Sequence, residues 1–377
     1  MPAPPDPPPW LQVRRFACGE HAPVSLCWRG DELIDWVCGG DRWVDGVFVS
    51  ARRGWGYGRF DGAVADPTGR WAVVHERTGT AALLLHDGEI VRELHRSPYH
   101  ADDFLFPVCL FAGADGRVLL AHCPDHYGRI DLDDAATGER LTRGDGRRTI
   151  DFFHSQLAAS PSGTGLLSAG WVWHPWDAVV WFDVAACLRD PARLDALDGA
   201  PHSRNVCLAE ESSAAWLDDR HVVVGGSAEP EDPDEVAEVA RDHPGPRLHP
   251  LGLAVYDVVA GRCVRDVALG YAPGAMMPVG PRHVVTFDDH PRLVDLDAGR
   301  VVHAWPHLRS GASVSSIVGN RTEPPPALAL DPARHRFAIY VGNGGGDGGH
   351  GGGSGDGDGD GDGDAIEVIT IDVTALP

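Results

Sequence analysis

The chain has no lysine; all 32 of its basic residues are arginine, set against 55 acids. That absence excludes Schiff-base lysines, a phosphate-loop lysine and a lysine general base. No two of the eight cysteines (Cys18, Cys27, Cys38, Cys109, Cys123, Cys187, Cys207, Cys263) form a C-x-x-C pair. Scattered thiols of this kind read as reduced and mostly buried, and a cytoplasmic setting is expected. No run approaches the roughly 18–20 apolar residues that span a bilayer. The opening MPAPPDPPPW lacks the basic and apolar regions of a secretory signal, so no membrane association is expected. Also missing are G-x-G-x-x-G after a strand, a P-loop, H-E-x-x-H and a serine nucleophile elbow. No cofactor is implied.

The net charge is −23, and about half of it is local. Residues 229–242 (EPEDPDEVAEVARD) hold seven acids and one Arg, and the glycine-rich run 343–364 adds six Asp. Such a surface repels phosphate backbones, which disfavours a nucleic-acid partner. The GDGDGDGDGD run lacks the apolar residues of a calcium roll and the terminal Glu of an EF-hand loop. It is expected to be a disordered anionic loop spanning 342–364, as residues 1–10 are expected to be a disordered Pro-rich arm.

What is present is a repeating pattern of short β-like runs separated by tight turns. WAVVHE (71–76), AALLLH (81–86), RVLLAH (117–122), HVVVGG (221–226), LAVYDV (253–258) and HVVTF (283–287) carry the β-branched and apolar enrichment of strands. The turns after first runs include DPTGR (66–70), ADGR (114–117) and DPAR (331–334). Third runs end in Asp before a Gly-containing turn, as in DDAATGER (133–140), DVVAGR (257–262) and DLDAGR (295–300). About seven units follow, near 22–57, 60–96, 103–142, 152–197, 206–269, 274–306 and 326–373. A radial array of four-stranded units is the architecture this grammar specifies, so the fold class is all-β, a seven-bladed β-propeller over residues 11–377. The last unit is one strand short, and Leu11–Phe16 is expected to supply it and close the ring. Two stretches have helical character, 183–197 and 232–241, the second inside an acidic insert at 227–250.

The D-P-x-G-R turns, and the apolar runs ending in Asp before a Gly-containing turn, resemble the WD-repeat-like propeller superfamily. The resemblance covers most of the chain, but no unit carries a Trp-Asp dipeptide at the end of its third strand, and there is no regular Gly-His opening. It implies the fold and is nearly silent on activity.

In a four-stranded blade, the loops that enter the first strand and join the second to the third open on one face. The long, irregular loops of this chain all fall there, and blades three and four concentrate polar chemistry. His100, Asp102 and Asp103 precede one first strand; His122, Cys123, Asp125, His126 and Tyr127 fill the next loop of that face. Asp151 and His154 precede another first strand, and His174, Trp176 and Asp177 sit in its outer loop. Trp55 and Tyr57 lie between glycines in a further loop, while Trp171 and Trp181 suit packing. The preferred expectation is a non-catalytic module binding a protein or peptide, with Tyr57, His100, Asp102, His126, Tyr127, His154, His174 and Trp176 as contact candidates. The alternative is a hydrolase or lyase with a His/Asp site at the channel mouth, where His122, His126, His154 and His174 are the metal candidates. Strand capping and hydrogen bonding between blades account for the same residues without any ligand.

Overall fold

The computed structural model describes residues 7–19, 21–51, 56–173, 176–197, 209–228, 232–242, 244–312, 316, 325–342 and 364–377. The first strand, β1 (Leu11–Ala17), is followed by blade one: β2 (Cys27–Arg29), β3 (Glu32–Asp35), β4 (Asp41–Val44) and β5 (Val47–Val49). Blade two is β6 (Gly62–Ala65), β7 (Trp71–His75), β8 (Ala81–His86) and β9 (Glu89–His95). Blade three has three strands, β10 (Val108–Ala112), β11 (Val118–His122) and β12 (Asp131–Asp134). Blade four also has three, β13 (Phe152–Ala159), β14 (Gly165–Val172) and β15 (Trp176–Asp183), followed by helix α1 (Val184–Arg189) and a 3-10 turn at Pro191–Asp195. Blade five is β16 (Glu211–Trp216), β17 (His221–Gly226), β18 (Gly252–Asp257) and β19 (Arg262–Ala268), with α2 (Pro233–Asp242) in the acidic insert. Blade six is β20 (Met276–Val279), β21 (His283–Thr286), β22 (Arg292–Asp295) and β23 (Arg300–Ala304). Blade seven is β24 (Leu328–Asp331), β25 (Arg336–Val341) and β26 (Ala365–Ile371), with β1 as its outer strand.

Every sheet is antiparallel and in sequence order except the last, which runs β1-β26-β25-β24. β1 pairs with β26 over its whole length, from Leu11 opposite Ile371 to Ala17 opposite Ala365. First strands of consecutive blades touch around the inside, from β24 to β2, β6, β10, β13, β16 and β20, and β20 meets the 3-10 turn after β24. The ring is closed. The chain folds as a seven-bladed β-propeller.

The core explains why the middle strands read as unbroken apolar runs. Each is sandwiched between two blades, so both of its faces are buried. Along β7, Ala72 and Val74 pack on Ile34 and Trp36 of blade one, while Val73 between them packs with Leu110 and Leu120 of blade three. The same relation recurs at all seven junctions, with Phe111 against Phe182, Leu167 against Tyr256, Val223 against Met277's neighbour Met276, Met277 against Phe337, and Leu33 against Ala338 sharing clusters. Successive side chains along a strand point to opposite faces, which here means to opposite neighbours.

The Asp that ends many third strands also has a physical reason. Asp257 Oδ1 accepts from the Val259 and Ala260 amides at 3.0 and 2.9 Å, and Asp295 Oδ1 does the same for Asp297 and Ala298 at 2.9 and 3.0 Å. Gly261 and Gly299 then take φ of +61° and +62° to finish the turn. The other carboxylate oxygen receives an arginine from the preceding turn, Arg220 and Arg282 respectively, each at 2.6 Å. Those guanidiniums, with the turn amides, hold both carboxyls well below the usual range.

Two expectations need correction. The expected arm reaches no further than residue 9, because Trp10 is buried among Met277, Trp305 and Ile371 and meets the His303 ring edge-on at 5.5 Å, while residues 1–6 of it and 343–363 of the Gly/Asp run lie outside the described residues. Among the described residues blades three and four have three strands each, not four. Past β12 the chain makes one bridge, Asp133 to Arg140, and then an ionic network takes over. Arg147, whose side chain is 1% exposed, donates to both Asp195 carboxylate oxygens at 2.6 Å, to Asp131 at 3.1 Å and to the Ile130 carbonyl at 2.9 Å. The guanidinium thus ties β12 to the 3-10 turn of blade four where strand pairing stops.

Candidate functional site

Four consecutive segments deliver aromatic rings to one place on the loop-rich rim. The β9–β10 connection brings Tyr99, His100 and Phe104, and the β11–β12 loop brings His126 and Tyr127. β13 opens with Phe152 and Phe153, and β14 ends near Trp171, with Trp173 just beyond. Phe153 is the hub. Tyr127 stacks on it at 4.1 Å with 12° between planes, and Phe104 at 4.7 Å and 16°. Tyr99 lies 5.9 Å from Phe153 and 5.3 Å from Tyr127, His126 4.2 Å from Tyr127, and Trp171 5.7 Å from Phe153. Trp173 meets Trp171 edge-on at 5.0 Å. These are the offset and edge-to-face geometries that aromatic quadrupoles favour.

Local interactions hold each loop in shape. Arg96, buried at the end of β9, donates to the carbonyls of Gly79, Ala101, Phe104 and Leu105 at 2.6–2.8 Å, so its cation is spent on backbone. Burial lowers its pKa to about 10. His100 sits at φ +51°, a strained position for a non-glycine residue, and its Nδ1 lies 2.8 Å from Asp103 Oδ2. His126 Nδ1 accepts from the Gly128 amide at 3.1 Å, which leaves the proton on Nε2. Gly128 has no room for a side chain, since a Cβ would run into the Ile150 carbonyl. The Tyr127 hydroxyl donates to Asp151 Oδ1 at 2.9 Å, and burial together with that carboxylate pushes its pKa up to about 12.

Beneath the rings lies a recess of about 10 Å³, the room of one water, lined by Arg96, Tyr99, His100, Cys123, Phe153 and His154 among others. His154 is 2% exposed; its Nδ1 is 2.8 Å from Ser168 Oγ, and its Nε2 has no hydrogen-bond partner among the described residues. Burial lowers its pKa to about 3, so the ring is neutral. A β-bulge between His154 and Gln156 sets Ser155 out of register. Ser155 accepts from the Leu105 amide at 3.1 Å and donates to the Ser316 carbonyl at 3.1 Å. Ser316, from the connection between blades six and seven, also bonds Asp177 through its amide and hydroxyl.

The candidates sort as follows. His100, His126 and Tyr127 come together, with Asp102 exposed on the same loop and His154 below them. Tyr57 does not join them; it is buried among Trp36, Phe60 and Leu85 between blades one and two. Trp176 is half-buried and packs on the cluster of Phe152 and Val180, with no ring contact to the group around Phe153 among the described residues. His174 and Trp55 lie outside the described residues. His122 points elsewhere, into blade three, with Nε2 3.1 Å from Asp133, which Arg92 also holds. Among the described residues no three His, Cys, Asp or Glu side chains gather as metal ligands, and the imidazoles of His122, His126 and His154 are each tied to a different neighbour. The residues that sequence reasoning misses are Tyr99, Phe104 and Phe153. The signal was an aromatic in each of four successive segments of one face (SPYH, DHYG, DFFH, GWVW).

No family model matches the chain, and no curated protein matches it. No helix among the described residues is long and apolar enough to cross a membrane.

Proposed function

We propose that this propeller is a non-catalytic binding module, a divergent member of the WD-repeat-like kind, that captures a protein or peptide partner on the rim of blades three and four. One observation carries the reading. Among the described residues the only exposed Trp or Tyr side chains are Tyr99 (55%) and Trp173 (59%), and both belong to this one cluster. Tyr99 stands on buried Phe153, 3% exposed, and Trp173 on half-buried Trp171, which itself packs on Phe153. Large, rigid aromatic surface of this kind gives contact area at small entropic cost. A reducing, cytoplasmic setting fits the seven described cysteines, which are all unpaired.

The test is affinity capture with the wild-type chain and with a Tyr99→Ala/His126→Ala/Trp173→Ala variant, matched for melting temperature. Partners retained by the wild type and lost by the variant support the reading. Identical retained sets from both place the binding surface elsewhere.

A further inference from the structure

We propose that the segment captured here is arginine-bearing, with its guanidinium laid on the Tyr99–Trp173 surface and paired to the carboxylates at its edge. The inference rests on the binding role proposed above and specifies the chemistry of the partner.

Three features converge. The first is the exposed rings themselves. A planar guanidinium stacks on Tyr and Trp faces, where the ring quadrupole attracts the cation. The second is the charge around them. Asp102 and Asp151 are exposed, and Asp151 spends one oxygen on the Tyr127 hydroxyl while the other has no bond to a described residue. The one arginine lining the recess, Arg96, is buried and engaged by four backbone carbonyls, so it offers nothing to an anion. The chain as a whole carries −23 and has no lysine. An anionic ligand meets repulsion at long range and, among the described residues lining the recess, no arginine free to receive it. A neutral ligand leaves the carboxylates unused. The third is the recess behind the rings, where His154 presents a buried nitrogen without a partner. A neutral imidazole there accepts or donates a hydrogen bond, directly or through the one water the recess holds.

The probe is a fluorescent peptide of about twelve residues built from Arg-Gly-Gly repeats, with the same peptide carrying citrulline, which keeps the shape of arginine but loses its charge. Three variants are compared with the wild type by anisotropy at low and high salt. Tyr99→Ala/Trp173→Ala leaves net charge unchanged, Asp102→Asn/Asp151→Asn removes two charges at the site, and Glu93→Gln/Asp190→Asn removes two charges elsewhere. The expected result is saturable binding of the arginine peptide, at least tenfold weaker with citrulline, at least fivefold weaker in the first two variants and within twofold of wild type in the third. Equal loss in the second and third variants with none in the first means attraction to net charge alone, and overturns the proposal. Equal binding of the citrulline peptide also overturns it. In that last case, loss of binding in Tyr99→Ala/Trp173→Ala leaves the binding role standing and removes only the arginine.

Discussion

Tyr127 and Phe153 belong to different blades, yet their rings lie 4.1 Å apart and within 12° of parallel. The pair joins a loop of blade three to the first strand of blade four, and everything exposed on the platform leans on it. Tyr99 contacts both members, and Trp171, which carries Trp173, contacts Phe153. The exposed rings of the rim are thus backed by inter-blade core.

A double-mutant cycle on Tyr127 and Phe153 should therefore return a coupling of about 0.5–1.5 kcal/mol beyond the two single losses. Phe153→Ala, which empties a buried site, should cost about 3–5 kcal/mol of unfolding free energy. Tyr127→Ala should cost distinctly less, since that ring is half-buried. Urea unfolding of the four proteins measures all three quantities; a coupling indistinguishable from zero means the stack is incidental.

Buried imidazoles make stability depend on pH. His154 and His75 are held neutral by burial, with pKa values lowered to about 3 and about 4. The unfolded chain binds those protons near pH 6.5, so between there and pH 4 it binds more protons than the native state. The stability these residues contribute is complete above about pH 6.5 and is lost as pH falls toward the folded values. Each adds a slope of about 1.4 kcal/mol per pH unit within that window. Unfolding free energy measured from pH 7 to 4.5 should fall, and His154→Gln should remove about one proton's share of the slope. A variant slope equal to wild type means His154 is protonated in the folded protein.

Most of the ring was legible in the sequence, and most of the site was not, for one physical reason. Middle strands buried on both faces leave continuous apolar runs such as AALLLH, and hairpins closed by an Asp and a left-handed glycine leave a fixed turn pattern. Both are local signals. Blades three and four break the pattern through contacts that are not local: Arg147 reaches Asp195, 48 residues away, to stand in for strand pairing, and a charged loop residue gives no sign of that. The platform is similar. His126 and Tyr127 stand out as loop residues, but Phe153 opens a strand and reads as core, which it is. Its role as the base of a surface appears only when four segments are brought together. Tyr57, aromatic and flanked by glycines, reads as a loop residue, yet its ring is buried between blades one and two.

Arg147 should be among the residues most costly to truncate. Its guanidinium is buried with Asp131 and Asp195, so Arg147→Ala strips Asp195 of its cation in a desolvated site, leaving it the Arg148 amide alone, and takes one of three arginines from Asp131. The expected loss is about 3–5 kcal/mol. Replacing the pair together, as Arg147→Met/Asp195→Leu, should recover part of it, because an apolar pair carries no desolvation penalty. Thermal melts of the single and double variants decide this, and a double variant no better than Arg147→Ala alone counts against the pair as the source of the loss.

The closure strand gives the last prediction. β1 supplies the outer edge of blade seven, buries Leu11 and Phe16, and lies beside β5 of blade one. A chain lacking residues 1–17 exposes the ladder groups of β26 that β1 now pairs, and loses the packing of Trp10 on Met277 and Trp305. It should melt well below the full chain and associate through the bared edge, visible as a concentration-dependent sedimentation profile. Because β1 joins the ring only through that edge and its neighbours, a synthetic peptide of residues 7–19 added in trans should raise the melting temperature again and suppress association. The rise should grow with the logarithm of peptide concentration above its dissociation constant, as mass action requires. A peptide with Leu11 and Phe16 both replaced by serine should do neither. If the truncated chain melts with the full one, blade seven is stable with three strands and the ring does not depend on its latch.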